Sequence, residues 1–138
     1  MFRILLLSPL MLVMAASASP TFPPLKRAPV RDEALPQGLA PRFVRGARIR
    51  FQPGQPTGQH RHPVPVVGVV TLGSFSFQLE GEAVRTLHRG ESFYEPAGRR
   101  VVHFDNASSS RPAEIVAFYL AENRTGPLIE MLDGQAGR

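Results

Sequence analysis

An all-β domain, a sandwich or barrel of short strands, is what this sequence predicts. Three observations carry that reading. Ser74–Glu80 alternates strictly, with Phe75, Phe77 and Leu79 on one face and Ser74, Ser76 and Gln78 on the other. Val64–Leu72 is a continuous valine-rich run of the kind a buried strand shows. Turns rich in Gly and Pro separate such stretches at short, regular intervals, and no internal repeat is visible.

The chain has 138 residues, the size of one domain with additions. It opens on a basic Met1-Phe2-Arg3 head, an apolar run to Met14 and the small residues Ala16-Ser17-Ala18. That pattern predicts a signal peptide over residues 1–18, too short for a transmembrane anchor, and a secreted or periplasmic protein with no membrane span after its removal. The sequence contains no cysteine, so an exported domain must rest on its core. About 120 mature residues suffice to bury roughly two-thirds of the unfolded surface.

Formal charge is +5, and losing Arg3 with the signal leaves 15 basic against 11 acidic side chains, or +4. The basic residues Arg42, Arg45, Arg48 and Arg50 are not interleaved with stacking aromatics. They read as outward strand positions, and nucleic acid is not an expected partner.

Residues 19–41 carry six prolines and no apolar period, which predicts an extended arm. Residues 42–134 are the predicted barrel. Ala47, Ile49 and Phe51 face inward between Arg48 and Arg50, with Gly46 marking a bulge or bend. After Val64–Leu72 and Ser74–Glu80, a tight turn at Glu80-Gly81-Glu82 leads into Ala83–Leu87. A short strand containing Phe93-Tyr94 follows, then Arg99–Phe104 and Ala113–Leu120. Gly126-Pro127 predicts the start of a short C-terminal helix, with Leu128, Ile129 and Leu132 as its apolar stripe and Gly134 as its stop.

Two turn-rich segments hold the chemistry. In Gly54–His62, His60 and His62 stand two apart after a turn, so on a strand they share a face and can offer two imidazole nitrogens to one ion. In Gly90–Gly98, the turn Pro96-Ala97-Gly98 precedes His103. No catalytic triad, phosphate-binding loop or dinucleotide fingerprint is present.

These segments resemble the two motifs of the cupin superfamily in its small single-domain form. Gly54, His60, His62 and Gly73 match the first motif, Gly90, Pro96 and Gly98 the second, and Asn106 falls near its asparagine. The resemblance covers about Phe43–Leu120 and implies a jelly-roll barrel, a double-stranded β-helix, with a metal in its mouth. It also implies a homodimer, for which the long arm is suited. Two ligand positions depart from the pattern. The glutamate place falls on Val66 (Val67 at the longer spacing) and the second-motif histidine place on Val101.

His103, two residues beyond Val101, is expected on the same inner face, giving a metal set of His60, His62 and His103. Such a set suits zinc or copper better than iron, and a divalent ion among Zn, Cu, Fe or Mn is the expected cofactor. Phe104 is expected to face the other way. Among the acids, Glu80, Glu82 and Glu91 read as solvated turn residues. Tyr94, Glu95 and Arg99 are the candidate contacts for a small-molecule ligand.

Two functions follow. One is a binding module that holds a small ligand, with or without a metal, and without turnover. The other is a metal-dependent enzyme of dioxygenase or isomerase type. The loss of two family ligand positions favours the first. Export is tested by intact mass. Protein recovered from periplasm or medium should begin at Ser19, and a mass that still includes Met1 refutes the leader.

Overall fold

A computed structural model describes residues 28–132. The predicted signal peptide and the first part of the arm lie outside the described residues. Nine strands are described: β1 (Phe43–Phe51), β2 (His60–Arg61), β3 (Val66–Leu72), β4 (Ser74–Leu79), β5 (Arg85–His88), β6 (Ser92–Glu95), β7 (Arg100–Asn106), β8 (Ala113–Ala121) and β9 (Glu130–Met131). They form a four-stranded sheet in the order β1-β8-β3-β6 and a five-stranded sheet in the order β5-β4-β7-β2-β9. Every pairing is antiparallel.

The alternation in the sequence becomes the two faces of these strands. In β4, Phe75, Phe77 and Leu79 are buried while Ser74, Ser76 and Gln78 are half-buried. In β1, the residues of the Ala47–Ile49–Phe51 parity point in and the arginines at 48 and 50 point out. Phe51, Phe75, Phe77, Phe93 and Phe104 meet between the sheets as a connected set of ring contacts, with centroids 4.8–6.3 Å apart. Most of these pairs are tilted or edge-to-face, the geometry that ring quadrupoles favour.

One glycine makes this packing achievable. Gly68 lies opposite Phe93 across β3 and β6. A Cβ at Gly68 would run into the Phe93 ring and lie 2.8 Å from the Val116 carbonyl oxygen. Gly46 behaves differently from its predicted role. β1 pairs with β8 in unbroken register there, and the half-exposed Phe118 ring lies over the glycine. An aromatic neighbour covers the bare backbone, and no bulge forms.

A bulge occurs in β7 instead. Gln78 pairs with His103 but Leu79 pairs with Val101, so Val102 is an extra residue. The side-chain parity flips across it: Val101 and Phe104 are both buried and His103 is exposed. The expected outward Phe104 is therefore inside, at 3% exposure, among the other phenylalanines.

No helix is present among the described residues. Where a C-terminal helix was predicted, β9 is extended and pairs with β2, Met131 opposite His60, and the Leu132 amide donates to the Gln59 carbonyl at 2.9 Å. A helix of about two turns is marginal in water, whereas the two-residue β2 has an open edge whose backbone groups need partners.

The arm from 28 to 41 forms no strand. Arg31 donates to the Ser92 hydroxyl at 3.1 Å and to its carbonyl at 3.2 Å, fastening the arm to β6 at the edge of the first sheet.

Replacing Gly68 with Ala should destabilise the fold by about 1–3 kcal/mol, since neither the Phe93 ring nor the β8 backbone can yield cheaply. Gly46→Ala should be neutral or stabilising by up to about 1 kcal/mol, because the ring above it is free to swing. Urea denaturation of both variants checks this, and equal losses would show that Gly68 is not the close contact described.

Candidate metal centre

The two turn-rich segments are joined by backbone. The Gly98 amide donates to the His62 carbonyl at 2.7 Å, and His60 lies opposite Val101 in the β2–β7 pair. Gly98 has φ +75°, a conformation glycine adopts without strain, so the Pro96–Gly98 turn can bring β7 against β2. His60 and His62 consequently point into the mouth between the sheets. They are 2% and 4% exposed, with ring centroids 4.9 Å apart.

Both rings are held by backbone carbonyls on the same side of their chemistry. Nδ1 of His60 is 2.8 Å from the Gly58 carbonyl oxygen, and Nδ1 of His62 is hydrogen-bonded to the Leu128 carbonyl oxygen. A carbonyl only accepts, so each Nδ1 carries the hydrogen and each Nε2 is left to bind something else. Orientation of this kind is the usual support of a metal-ligating histidine.

The third member is Glu95, 3% exposed, whose Oε2 is 2.8 Å from His62 Nε2. One donor atom from each of His60, His62 and Glu95 lies within 4.8 Å of the other two. Glu95 reaches the site from β6, directly opposite Val66 on β3, and Val66 in turn is opposite Tyr119 on β8. The carboxylate thus projects from the strand beside the position where the sequence pattern called for one. Beside these groups is a chamber of about 60 Å³, walled by Ile49, Phe51, Phe93, Phe104, Ile115 and Ile129 and by Tyr119.

The electrostatics follow from burial. Burial works against the charge on His62, but the hydrogen bond and negative charge of Glu95, helped by the Leu128 carbonyl, outweigh it and raise its pKa. His60 is also desolvated and lacks a carboxylate hydrogen bond, so burial wins and its pKa is lowered. Burial, and then the Glu95 charge, raise the Tyr119 phenol, keeping it protonated at neutral pH.

The predicted site residues separate cleanly. His60 and His62 lie side by side, and Glu95, expected among the small-molecule contacts, has a donor atom within 4.8 Å of theirs. His103 does not join them: the bulge at Val102 turns it outward, where Nδ1 is 2.8 Å from Asp105 Oδ2. Tyr94 has the opposite parity to Glu95 and lies on the outer side, where the Glu33 charge bears on it. Arg99 is at the surface, paired with Glu82 at 3.0 Å and the Glu80 carbonyl at 3.0 Å. Two contributors escaped the sequence reading. Tyr119 was discoverable, since it shares the parity of Ile115 and Ala117 on β8. The Leu128 carbonyl was not, because no side chain advertises it.

In metal-free protein these shifts predict a pH optimum for stability. A raised His62 pKa contributes stability present in full below the ordinary value of 6.5 and lost as pH rises through the folded value. A lowered His60 pKa has the opposite sign, since below 6.5 the unfolded chain takes a proton that the folded chain resists. Urea midpoints across pH should therefore peak between the two folded values. Glu95→Gln should flatten the alkaline limb and His60→Gln the acid limb, and a level profile in the parent protein would contradict both assignments.

The profile of the cupin domain matches residues 47–119. Among curated proteins, an (R)-mandelonitrile lyase from Granulicella tundricola is 36% identical over 74 residues, which is 54% of this chain and 56% of the lyase. Among solved structures, an oxalate oxidase in complex with the substrate analogue glycolate superposes with a TM-score of 0.56 at 25% identity, over 64% of this chain and 46% of the oxidase. A cupin-like protein from Thermotoga maritima superposes with a TM-score of 0.53 at 27% identity, over 64% of each chain. The chain spans only about half the length of the lyase and the oxidase. With the matched region running from β1 to β8 and covering more than half of the sequence, the chain belongs to the cupin family.

Proposed function

We propose that this protein binds a divalent transition metal through His60, His62 and Glu95 and admits a small ligand to the ion from the adjoining chamber, without strong turnover. The observation that carries the reading is the hydrogen bonding of both histidines. Each Nδ1 is committed to a carbonyl, which leaves Nε2 as the metal-binding atom of each ring, and Nε2 of His62 lies 2.8 Å from the buried Glu95 carboxylate. Two imidazoles and one carboxylate suit iron(II), manganese or zinc, and they leave coordination positions open. A bound ion would supply Lewis acidity at those positions. The residues of the chain do the rest: the carbonyls fix the ring planes, Glu95 balances charge, and the apolar wall limits water.

The size of the chamber supports binding over turnover of a large substrate. About 60 Å³ has room for a few water-sized groups, far less than an aromatic cyanohydrin needs. A second reading, catalysis at the ion, is favoured by the 36% identity to the mandelonitrile lyase and by the open coordination positions. Cyanide release from (R)-mandelonitrile by the metal-loaded protein would move the balance to that reading. The proposal includes a secreted or periplasmic setting, supported by the leader-like residues 1–18.

Metal analysis of purified full-length protein tests the centre. One ion per chain is expected, with affinity lowered by roughly 10–100-fold or more in His60→Ala and Glu95→Ala and unchanged in His103→Ala. Because Val66 and Glu95 face each other across two strands, the double variant Val66→Glu/Glu95→Val should recover much of the affinity lost in Glu95→Val. Affinity should also fall with acidification, since the ion must displace the proton that Glu95 helps His62 to hold. Metal-free protein from metal-rich medium, or equal loss in His103→Ala, would overturn the proposal.

A further inference from the structure

The chamber beside the three ligands has one thin wall. Of the residues that line it, Ile129 alone is exposed, at 40%. Ile129 belongs to a strap, residues 126–132, that crosses the barrel mouth. The Leu128 carbonyl of this strap accepts the hydrogen bond from His62, and the next residue closes the chamber. We propose that Ile129 is the residue that decides which ligands reach the site, and that the strap must lift for any but the smallest.

The inference rests on the metal-binding reading and adds the class of ligand. Polar groups of the chamber gather around His60, His62 and Glu95, while the remaining wall is largely Phe51, Phe93, Phe104 and Ile115. A ligand charged at both ends would leave one end without a partner. The fitting ligand has one donor atom for the ion and a short apolar remainder.

The strap is held lightly enough to move. Among the described residues its backbone pairs with the two residues of β2, through Met131–His60 and Glu130–Arg61, and with Gln59. The Arg61–Glu130 ion pair at 2.7 Å is half exposed, a class that contributes little to stability. Arg45 adds one exposed hydrogen bond to the Gly126 carbonyl. The strap's inward holds are the packing of Leu128 against the core and the His62 hydrogen bond, so lifting it costs those contacts but far less than global unfolding. Because the Leu128 carbonyl also orients His62, lifting the strap loosens a ligand at the same moment that it admits solvent.

Cobalt(II)-loaded full-length protein provides the test, with the visible d–d bands as readout and azide and benzoate as probes. Azide should perturb the bands of the parent protein and of the Ile129→Ala and Ile129→Gly variants with similar affinity. Benzoate should bind the parent poorly and gain roughly tenfold or more as the side chain is cut back. Benzoate binding to the parent as readily as azide, or a loss of both probes in the variants, would overturn the assignment. Absence of cobalt bands in the parent would refute the metal centre and not the strap, which is then read in chelator-treated protein by diethyl pyrocarbonate. His88 and His103 should react quickly in every protein, and His60 and His62 slowly in the parent but roughly tenfold faster in Ile129→Gly. Equal rates for all four histidines in the parent, or no gain in the variant, would overturn the closure.

Discussion

Five phenylalanines pack into one part of this barrel, and the site occupies what they leave. Phe104 is the member on which the arrangement turns, since it touches Phe51, Phe75, Phe77 and Phe93. Reaching them from β7 takes the extra residue at Val102. A regular strand would have put His103 inside and Phe104 outside. Burying a phenylalanine is worth about 1.5–3 kcal/mol, whereas a buried imidazole without a partner costs roughly 1–3 kcal/mol. Both effects favour the bulge. The packing of the core thereby removes a histidine from the interior and leaves Val101 beside His60.

The same constraint explains what was and was not legible in the sequence. The fold could be read because strand alternation and Gly/Pro turns are local signals, as Phe75, Phe77 and Leu79 show. The histidine pair could be read because a spacing of two fixes a shared face. The orientation of His103 could not, since a bulge depends on which residue β7 meets on β4 and on how five rings share a volume. The predicted helix failed for a related reason. Leu128, Ile129 and Leu132 form an acceptable apolar stripe, but the open edge of β2 offers that segment backbone partners that no local pattern reveals.

Glu95 shows how a site tolerates the loss of a ligand position. Val66 contributes methyl groups where the motif places a carboxylate, yet its cross-strand neighbour supplies one. Directly opposed residues on antiparallel strands have Cβ atoms about 4.5–5.5 Å apart, a gap that a glutamate side chain spans. In the metal-free protein the carboxylate is not an isolated buried charge, because His62 donates to it at 2.8 Å. Such a pair is costly to break from one side, so Glu95 is tied to His62 without any ion. His62 and Glu95 hold each other in place, and Gly58 holds His60 beside them.

That preorganisation reaches beyond the barrel wall. His60 is oriented by Gly58, within the turn that leads into β2, so its hold is local and stiff. His62 is oriented by Leu128, 66 residues away in sequence, on a segment whose backbone pairs with the edge of β2. The two rings therefore differ in how firmly they are placed, although they stand side by side. On the proposed closure, any but the smallest ligand must pass the segment that fixes His62. Access to the site and the geometry of the site are in this way the same degree of freedom.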